Sequence, residues 1–253
     1  MSKLINICLT YYNQGEALQK HIEAWKLYPL DVLKNIKFTI IDDGSKKFPA
    51  IKNLIKHQNV EIEAYVIRED IPWNVGGARN LAFSVAEGKW LLQLDMDTVL
   101  TPEGAVNLVE FVKNEAKENA VYKFHEHCVI SPNGERFDVD KSLKSIHPGI
   151  MLIAKDAFWK TGGHDEDFCG HYGGTDIHIF YKLKQFVSDL QLDENTKDPW
   201  LVSDNISLKR LLVGETEDSL GRNPTRNMRL CDERRHRANW SEGILRFHWD
   251  KVL

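Results

Sequence analysis

Two aspartates spaced two apart, Asp95 and Asp97, end the apolar run Trp90-Leu91-Leu92-Gln93-Leu94. On an extended backbone this spacing points both carboxylates to one side, and such a pair is half of a hard-oxygen site for Mg²⁺ or Mn²⁺, completed by phosphate or water. The plainer reading of the same residues is an acidic loop before a helix that starts at Thr101-Pro102. A second acidic strand end is Asp42-Asp43-Gly44-Ser45, which is also good turn chemistry with Asp43 as a helix cap. In Trp73-Asn74-Val75-Gly76-Gly77-Ala78-Arg79-Asn80 the paired glycines allow close backbone approach. A helix opening there offers free amides to an anion, with the Arg79 charge beside them, although a surface loop with a structural arginine would read alike. A fourth cluster, residues 164–176, is dense in acids, histidines and glycines and ends in Gly173-Gly174-Thr175-Asp176. Such a run makes a poor core element and reads as a site loop.

The elements that must hold these groups alternate in the first hundred residues. Residues 4–9, 38–41, 60–66 and 90–94 read as strands, the last as one buried on both faces of a parallel sheet. Between them, Leu18, Ile22 and Trp25 mark one helix face and Ala78, Leu81, Ala82 and Val85 another. The alternation predicts a Rossmann-like half with its chemistry at the carboxyl ends of the strands, where Asn13 also falls. The pattern then changes. A helix from Pro102 turns Ala105, Leu108, Val109 and Val112 inward, and Ser131-Pro132-Asn133-Gly134 is a hairpin signal between strands at 122–130 and 135–139. Pro148-Gly149 precedes a strand over 150–154, Asp156 caps a short helix that stops at Gly162-Gly163, and Thr175 caps a helix carrying Ile177, Phe180, Tyr181 and Lys184. Beyond about residue 187 the signal weakens: 193–198 is a polar connection, and 221–237 holds six arginines. That run reads as a solvated segment able to close over a diphosphate rather than as a nucleic-acid site. Residues 244–249 read as a final strand bearing His248.

A chain of 253 residues with 28% charged and 42% hydrophobic residues suits one large core or two closely packed halves. The formal charge of −4 argues against nucleic-acid binding by the chain as a whole. The four cysteines, Cys8, Cys128, Cys169 and Cys231, form no C-x-x-C pair, and free thiols in a reducing compartment are expected. With neither a membrane-length apolar run nor a signal peptide, the expectation is a cytoplasmic protein.

Taken in order, the segments Leu9-Thr10-Tyr11-Tyr12-Asn13, Ile41-Asp42-Asp43-Gly44-Ser45, Gly76-Gly77-Ala78-Arg79-Asn80, Asp95-Met96-Asp97, Gly162-Gly163-His164-Asp165-Glu166 and Gly173-Gly174-Thr175-Asp176 resemble glycosyltransferases of the GT-A fold, most of all family 2. The resemblance covers residue 4 to about residue 183. It implies an α/β fold with a Rossmann-like nucleotide-binding half (1–100), a mixed-sheet acceptor-binding half (101–190) and a C-terminal extension (191–253) closing the site of a single domain. It implies transfer of one hexose from a nucleotide diphosphate donor, UDP-hexose in most members, to a glycan, a lipid-linked or another hydroxyl acceptor, assisted by Mn²⁺ or Mg²⁺ and with inversion.

The roles follow by match. Thr10, Tyr11, Asn13, Asp43, Gly77, Arg79 and Asp95 fall to the nucleotide. Gly149, Gly163, Asp165, Gly173, Gly174 and Thr175 fall to the donor sugar and acceptor. Asp97 is the direct metal ligand, joined by Asp95 and by a late histidine, for which His248 is preferred over His236. Asp176 is the general base, where the family commonly has Glu-Asp and this chain has Thr175-Asp176. The Q-x-x-R-W motif of processive synthases is missing, which favours one sugar per encounter. Two other readings remain. A nucleotidyltransferase would need a glycine-lysine phosphate loop near the first strand, and residues 10–15 carry no basic residue. A non-catalytic nucleotide-sugar or glycan-binding module is the reading outside enzymes.

Overall fold

The structure is a computed structural model that describes residues 3–54, 59–130, 136–138, 146–211, 221–236 and 243–253. The apolar runs of the first half form β1 (Ile5–Tyr11), β2 (Ile36–Asp42), β3 (Ile62–Ile67) and β4 (Trp90–Asp95), paired in parallel in the order β3-β2-β1-β4. Helices α1 (Gly15–Trp25), α2 (Leu30–Leu33) and α3 (Val75–Val85) connect them. Leu18, Ile22 and Trp25 are buried as their spacing predicts, and Trp25 stacks on Phe38 of β2 with ring centroids 4.0 Å apart. Helix α3 is buried nearly all round, from Gly76 to Phe83.

After β4 come a short strand, β5 (Thr98–Leu100), and α4 (Pro102–Asn114), whose Thr101 cap accepts a hydrogen bond from the Gly104 amide at 3.0 Å. The remaining elements are β6 (Val121–Ile130), β7 (Arg136–Asp138), β8 (Met151–Ala154), α5 (Lys155–Lys160), α6 (Thr175–Phe186), β9 (Leu201–Leu211), α7 (Thr225–Arg234) and β10 (Trp249–Lys251). One sheet runs through the molecule in the order β10-β3-β2-β1-β4-β8-β6-β9-β5, with β7 paired to β6. It is parallel from β3 to β4, then antiparallel at β4–β8 and β8–β6. The sheet is thus mixed as expected, and the hairpin partners β6 and β7 pair antiparallel around a turn at 131–135 that lies outside the described residues.

Several local expectations are corrected. Helix α6 is capped by Gly174, held at φ +81°, so Thr175 is its first residue and Asp176 its second. Asp156 lies within the first turn of α5, whose cap is Ala154. β9, an eleven-residue strand, falls where the hydrophobic signal is weak; its alternation is broken by polar residues, and its pairing with β6 carries register shifts near Phe124 and Glu126. The arginine-rich run is solvated as expected over most of its length, but it forms a helix, α7, packed on α6 with Asn227 and Cys231 buried. Among the described residues no helix is long and apolar enough to cross a membrane, and Cys8, Cys169 and Cys231 are free thiols.

Candidate active site

The carboxyl ends of β1, β2 and β4 lie side by side, with Thr10 in register with Asp95 and Tyr11 with Asp42. Across these ends lies Arg79, the fifth residue of α3 and only 3% exposed. Its Nη2 donates to Asp95 Oδ1 at 2.9 Å, and its Nη1 donates to Asp176 Oδ1. One buried guanidinium therefore links the end of β4 to the start of α6. Burial alone would lower the pKa of Arg79, but Asp176 and Asp95 together raise it, so the charge is permanent. Burial likewise opposes ionisation of Asp95, and Arg79 and then His147 hold its pKa below the usual carboxylate range. Asp97 goes the other way: burial, and then the Asp95 charge beside it, push its pKa up.

Asp95, Asp97 and His147 offer ligand atoms that all lie within 4.8 Å of one another. The Nδ1 of His147 lies 3.6 Å from Asp95 Oδ2 and accepts the Gly149 amide at 3.1 Å, a lone pair that a cation at this position would take over from the amide. Two carboxylates and one imidazole fit Mn²⁺ well and Mg²⁺ less well, and a cation between the aspartates would relieve the repulsion that raises Asp97. Behind the pair, His21 is fully buried, its pKa pushed down to about 4 by burial, and its Nε2 donates to the Met96 carbonyl at 3.1 Å. A neutral histidine thus fixes the residue between the two aspartates.

His248, the preferred third ligand, lies elsewhere. It is 81% exposed, its Nδ1 is 2.6 Å from Glu69 Oε1, and its carbonyl accepts the Arg68 amide beside β3. Three strand spacings separate β3 from β4, ~14 Å, too far for a shared ion. His236 is exposed just beyond α7 and belongs to no such cluster among the described residues. The histidine beside the carboxylates comes from the turn before β8.

The expected nucleotide residues divide. Asp43 is 7% exposed and accepts from Asn74 Nδ2 at 2.9 Å; burial, and then the charges of Asp42 and Asp70, push its pKa up to about 7. Gly77 makes that contact possible, because a Cβ there would fall 2.3 Å from Asn74 Oδ1. Thr10 is half-buried on the strand next to Asp95. Tyr11, in contrast, is fully buried with its hydroxyl donating to the Phe48 carbonyl at 2.5 Å, so its ring is core and cannot stack on a base. Asn13, at φ +51°, spends its side chain on the Lys47 and Phe48 amides, at 3.1 and 2.9 Å. It shapes the loop after β2.

The expected sugar and acceptor residues divide as well. Gly149 sits directly on the site: a Cβ would lie 2.3 Å from Asp95 Oδ2 and 2.9 Å from Arg79 Nη2. Gly173 and Gly174, at φ +85° and +81°, form the sharp entry to α6 that presents Thr175 and Asp176, both half-buried. Asp165 does not reach the site. It is 1% exposed, ion-paired to Arg234, and accepts the Asp167 amide at 3.0 Å. Glu166 is spent on Asn80 Nδ2 and on the Leu245 and Arg246 amides. Gly163 is structural: it is left-handed at φ +85°, and a Cβ would meet Asn80 Oδ1 at 2.7 Å. With its acidic neighbours occupied, Asp176 is the carboxylate of this loop that stands beside Arg79.

Sequence reasoning missed His147, Lys123, Gln93, Asn74 and Arg234. The signals were a polar residue inside an apolar strand (Gln93) and a lone charge among Val121, Tyr122 and Phe124 (Lys123). Lys123 is 2% exposed, with its pKa pushed down to about 8 by burial.

A model of the family described as Glycosyl transferase family 2 matches residues 6–165. The validoxylamine A glucosyltransferase of Streptomyces hygroscopicus subsp. jinggangensis (strain 5008) is 23% identical over 220 residues, covering 71% of this chain and 51% of the relative. The chain spans about half the length of the curated relatives it matches. Among solved structures, S. aureus TarS 1-349 in complex with UDP-GlcNAc superposes with a TM-score of 0.66 at 13% identity, over 90% of this chain and 65% of that one. GalNAc-T7 with UDP, GalNAc and Mn²⁺ gives 0.63 at 16% identity, over 91% and 48%. These likenesses carry the fold, GT-A, with the mixed α/β sheet described above. With the family pattern running through more than half of its residues, from β1 past Asp95 and Asp97 to the loop before α6, the chain belongs to glycosyltransferase family 2.

Proposed function

We propose that this protein transfers a single hexose from a nucleotide diphosphate donor, UDP-hexose, to a hydroxyl of a glycan, a lipid-linked acceptor or another small acceptor, with inversion at the anomeric carbon. The observation that carries the reading is Arg79, a buried cation joined to both Asp95 and Asp176 and flanked by the Asp97 and His147 ligand atoms. Asp43 and Thr10 take the nucleoside. Asp95, Asp97 and His147 would hold Mn²⁺ or Mg²⁺, which supplies charge to stabilise the departing diphosphate. Arg79 adds a fixed positive charge on the same side. Asp176, in the first turn of α6 and ion-paired with Arg79, takes the proton of the acceptor hydroxyl. The acceptor oxygen then bonds to the anomeric carbon as the bond to the diphosphate oxygen breaks, and the electron pair leaves with the nucleotide.

The names of the similar proteins agree with a nucleotide-sugar donor, and two of the structural neighbours were solved with Mn²⁺. We read residues 101–190 as the acceptor half and 191–253 as the extension that closes it; Arg234 and Arg246, both in that extension, grip the loop before Asp176 through Asp165 and Asp167. The free thiols fit the cytoplasmic setting this reading assumes. A thermal-shift screen of UDP-glucose, UDP-galactose, UDP-GlcNAc and GDP-mannose, each with and without Mn²⁺, tests the proposal, because a ligand of the folded state raises the melting temperature by mass action. At least one UDP-sugar should do so, more strongly with the metal, and should then release UDP slowly in a coupled assay. If no nucleotide-sugar shifts the melt in either buffer, the reading is wrong.

A further inference from the structure

His147 reaches Asp95 and Asp97 from the turn 147–149, between an isolated bridge at Ile146 and the start of β8. All three carbonyls of that turn are taken. Lys123 Nζ donates to the His147 carbonyl at 3.2 Å and the Pro148 carbonyl at 2.6 Å, and Gln93 Nε2 donates to the Gly149 carbonyl. Gln93 is itself fixed by His164, whose Nε2 lies 3.1 Å from its Oε1. Lys123 projects from β6 with 2% exposure, and the Asp176 and Asp95 charges act on it only from beyond salt-bridge distance. Burying an ammonium in this way costs several kcal/mol unless other groups replace its water. Here two carbonyls do so, together with the ring faces of Phe180 and Trp200, whose centroids lie 4.6 and 5.3 Å from Nζ. Phe180 belongs to α6, the helix that begins beside Asp176. One buried charge therefore touches the turn that carries the imidazole and the helix that carries the proposed base.

We infer that Lys123 is the positioning residue of the metal site: its ammonium pins the 147–149 turn so that His147 faces Asp95 and Asp97 while Gly149 abuts Asp95. The inference rests on the reading of Asp95, Asp97 and His147 as a cation site. Lys123 also feels the Asp95 and Asp176 charges, but as a cation its direct effect on a metal ion would be repulsive, so a loss of Mn²⁺ affinity on its removal comes through the His147 turn. A lysine that merely filled the interior would affect stability alone, whereas a pin for one ligand should affect metal affinity and should do so only while that ligand is present.

A double-mutant cycle on Mn²⁺ alone, followed by the loss of the free-ion electron paramagnetic resonance signal, separates these cases. His147→Ala and Lys123→Met should each weaken Mn²⁺ binding about tenfold or more, as supporting residues of metal sites do. Lys123→Met placed in the His147→Ala background should add less than about twofold. All variants are measured well below their melting temperatures, with UDP affinity in metal-free buffer as the control that should not move. Should Lys123→Met fail to fold, Lys123→Gln, which is uncharged and one atom shorter and so cannot hold both carbonyls at once, takes its place with the same expectations. Parent-like Mn²⁺ affinity in the lysine variant, or two losses that multiply, would overturn the positioning role while leaving the cation site intact. A parent protein that binds no Mn²⁺, or a His147→Ala variant that binds it as well as the parent, removes the site and this inference together.

Discussion

Replacing Asp43 by asparagine should stabilise the free protein at alkaline pH while weakening its hold on uridine. Asp43 is 7% exposed at the end of β2, and burial raises its pKa from an ordinary 3.8 to about 7. The folded state thus keeps the proton when the unfolded chain has lost it, and the associated stability is complete below pH 3.8 and lost as pH rises through about 7. A gap of about three pH units at 1.36 kcal/mol each sets a ceiling of about 4 kcal/mol; relaxation around the ionised group makes about 2 kcal/mol a fair expectation. Asparagine keeps the acceptor for Asn74 Nδ2 and has no proton to lose, so its stability should lack this component. Urea denaturation of parent and variant at about pH 5 and about pH 8.5 measures the difference, and other titrating groups cancel in the comparison. Only about two of those three pH units lie above pH 5, so between the two pH values the variant should gain on the parent by about 1 kcal/mol, with a ceiling of about 3 kcal/mol, and should bind UDP more weakly in both metal-free and Mn²⁺ buffers. A stability difference that stays constant with pH would refute the argument, since it would mean that Asp43 is ionised in both states throughout.

Arg79→Met leaves Asp95 and Asp176 without their shared cation, and should cost about 3–5 kcal/mol by denaturant titration at neutral pH, less in acid where the carboxylates protonate. Asp176→Asn should lower turnover by about a hundredfold or more with nearly unchanged UDP-sugar affinity, and NMR of the parent's product should show the inverted anomer; a retained anomer would falsify the inverting mechanism. Gly149→Ala places a methyl 2.3 Å from Asp95 Oδ2, and because Arg79 holds that carboxylate it should weaken Mn²⁺ binding about tenfold or more; an unchanged isotherm would show that the site relaxes freely.

What could be read in the sequence was whatever depends on local pattern. The run from Trp90 is apolar because β4 is buried on both faces, and it ends in acid because the strand's carboxyl end is open, so fold and site are both legible there. The same logic exposed β2 and Asp43. β9 was hidden because its polar residues break the alternation and its long parallel pairing with β6 is interrupted by register shifts. His147 was hidden for a different reason: the antiparallel register of Gln93 with Met151 fixes the turn before β8 against Asp95, and nothing near His147 in sequence announces that pairing. Asp165 misled because an acid in a glycine-rich loop looks solvated, whereas Arg234, about seventy residues later, neutralises it in the interior. His248 looked enclosed by Phe247 and Trp249, yet it lies outside them, paired with Glu69. Tertiary charge pairing separates the acids that can do chemistry from those that hold the loop, and a linear pattern carries no record of it.

The pairing of β10 with β3 has a kinetic consequence. Trp249 pairs with Ile67, Arg68 is bidentate to Asp250 at 2.7 and 2.5 Å, and Glu69 receives His248, so contacts spanning about 180 residues finish the edge of the nucleotide half. During synthesis, β3 must wait with one row of amides and carbonyls unsatisfied until every intervening element has emerged. At about 5–20 residues per second that is a delay of roughly 10–40 s. Closing so long a loop is among the late and entropically costly steps of folding, and an open parallel edge is what chaperones or another strand would capture in the meantime. Unfolding should retrace this order, fraying first at β10 and spreading toward the loop that carries Asp43 before the β1–β4 centre yields.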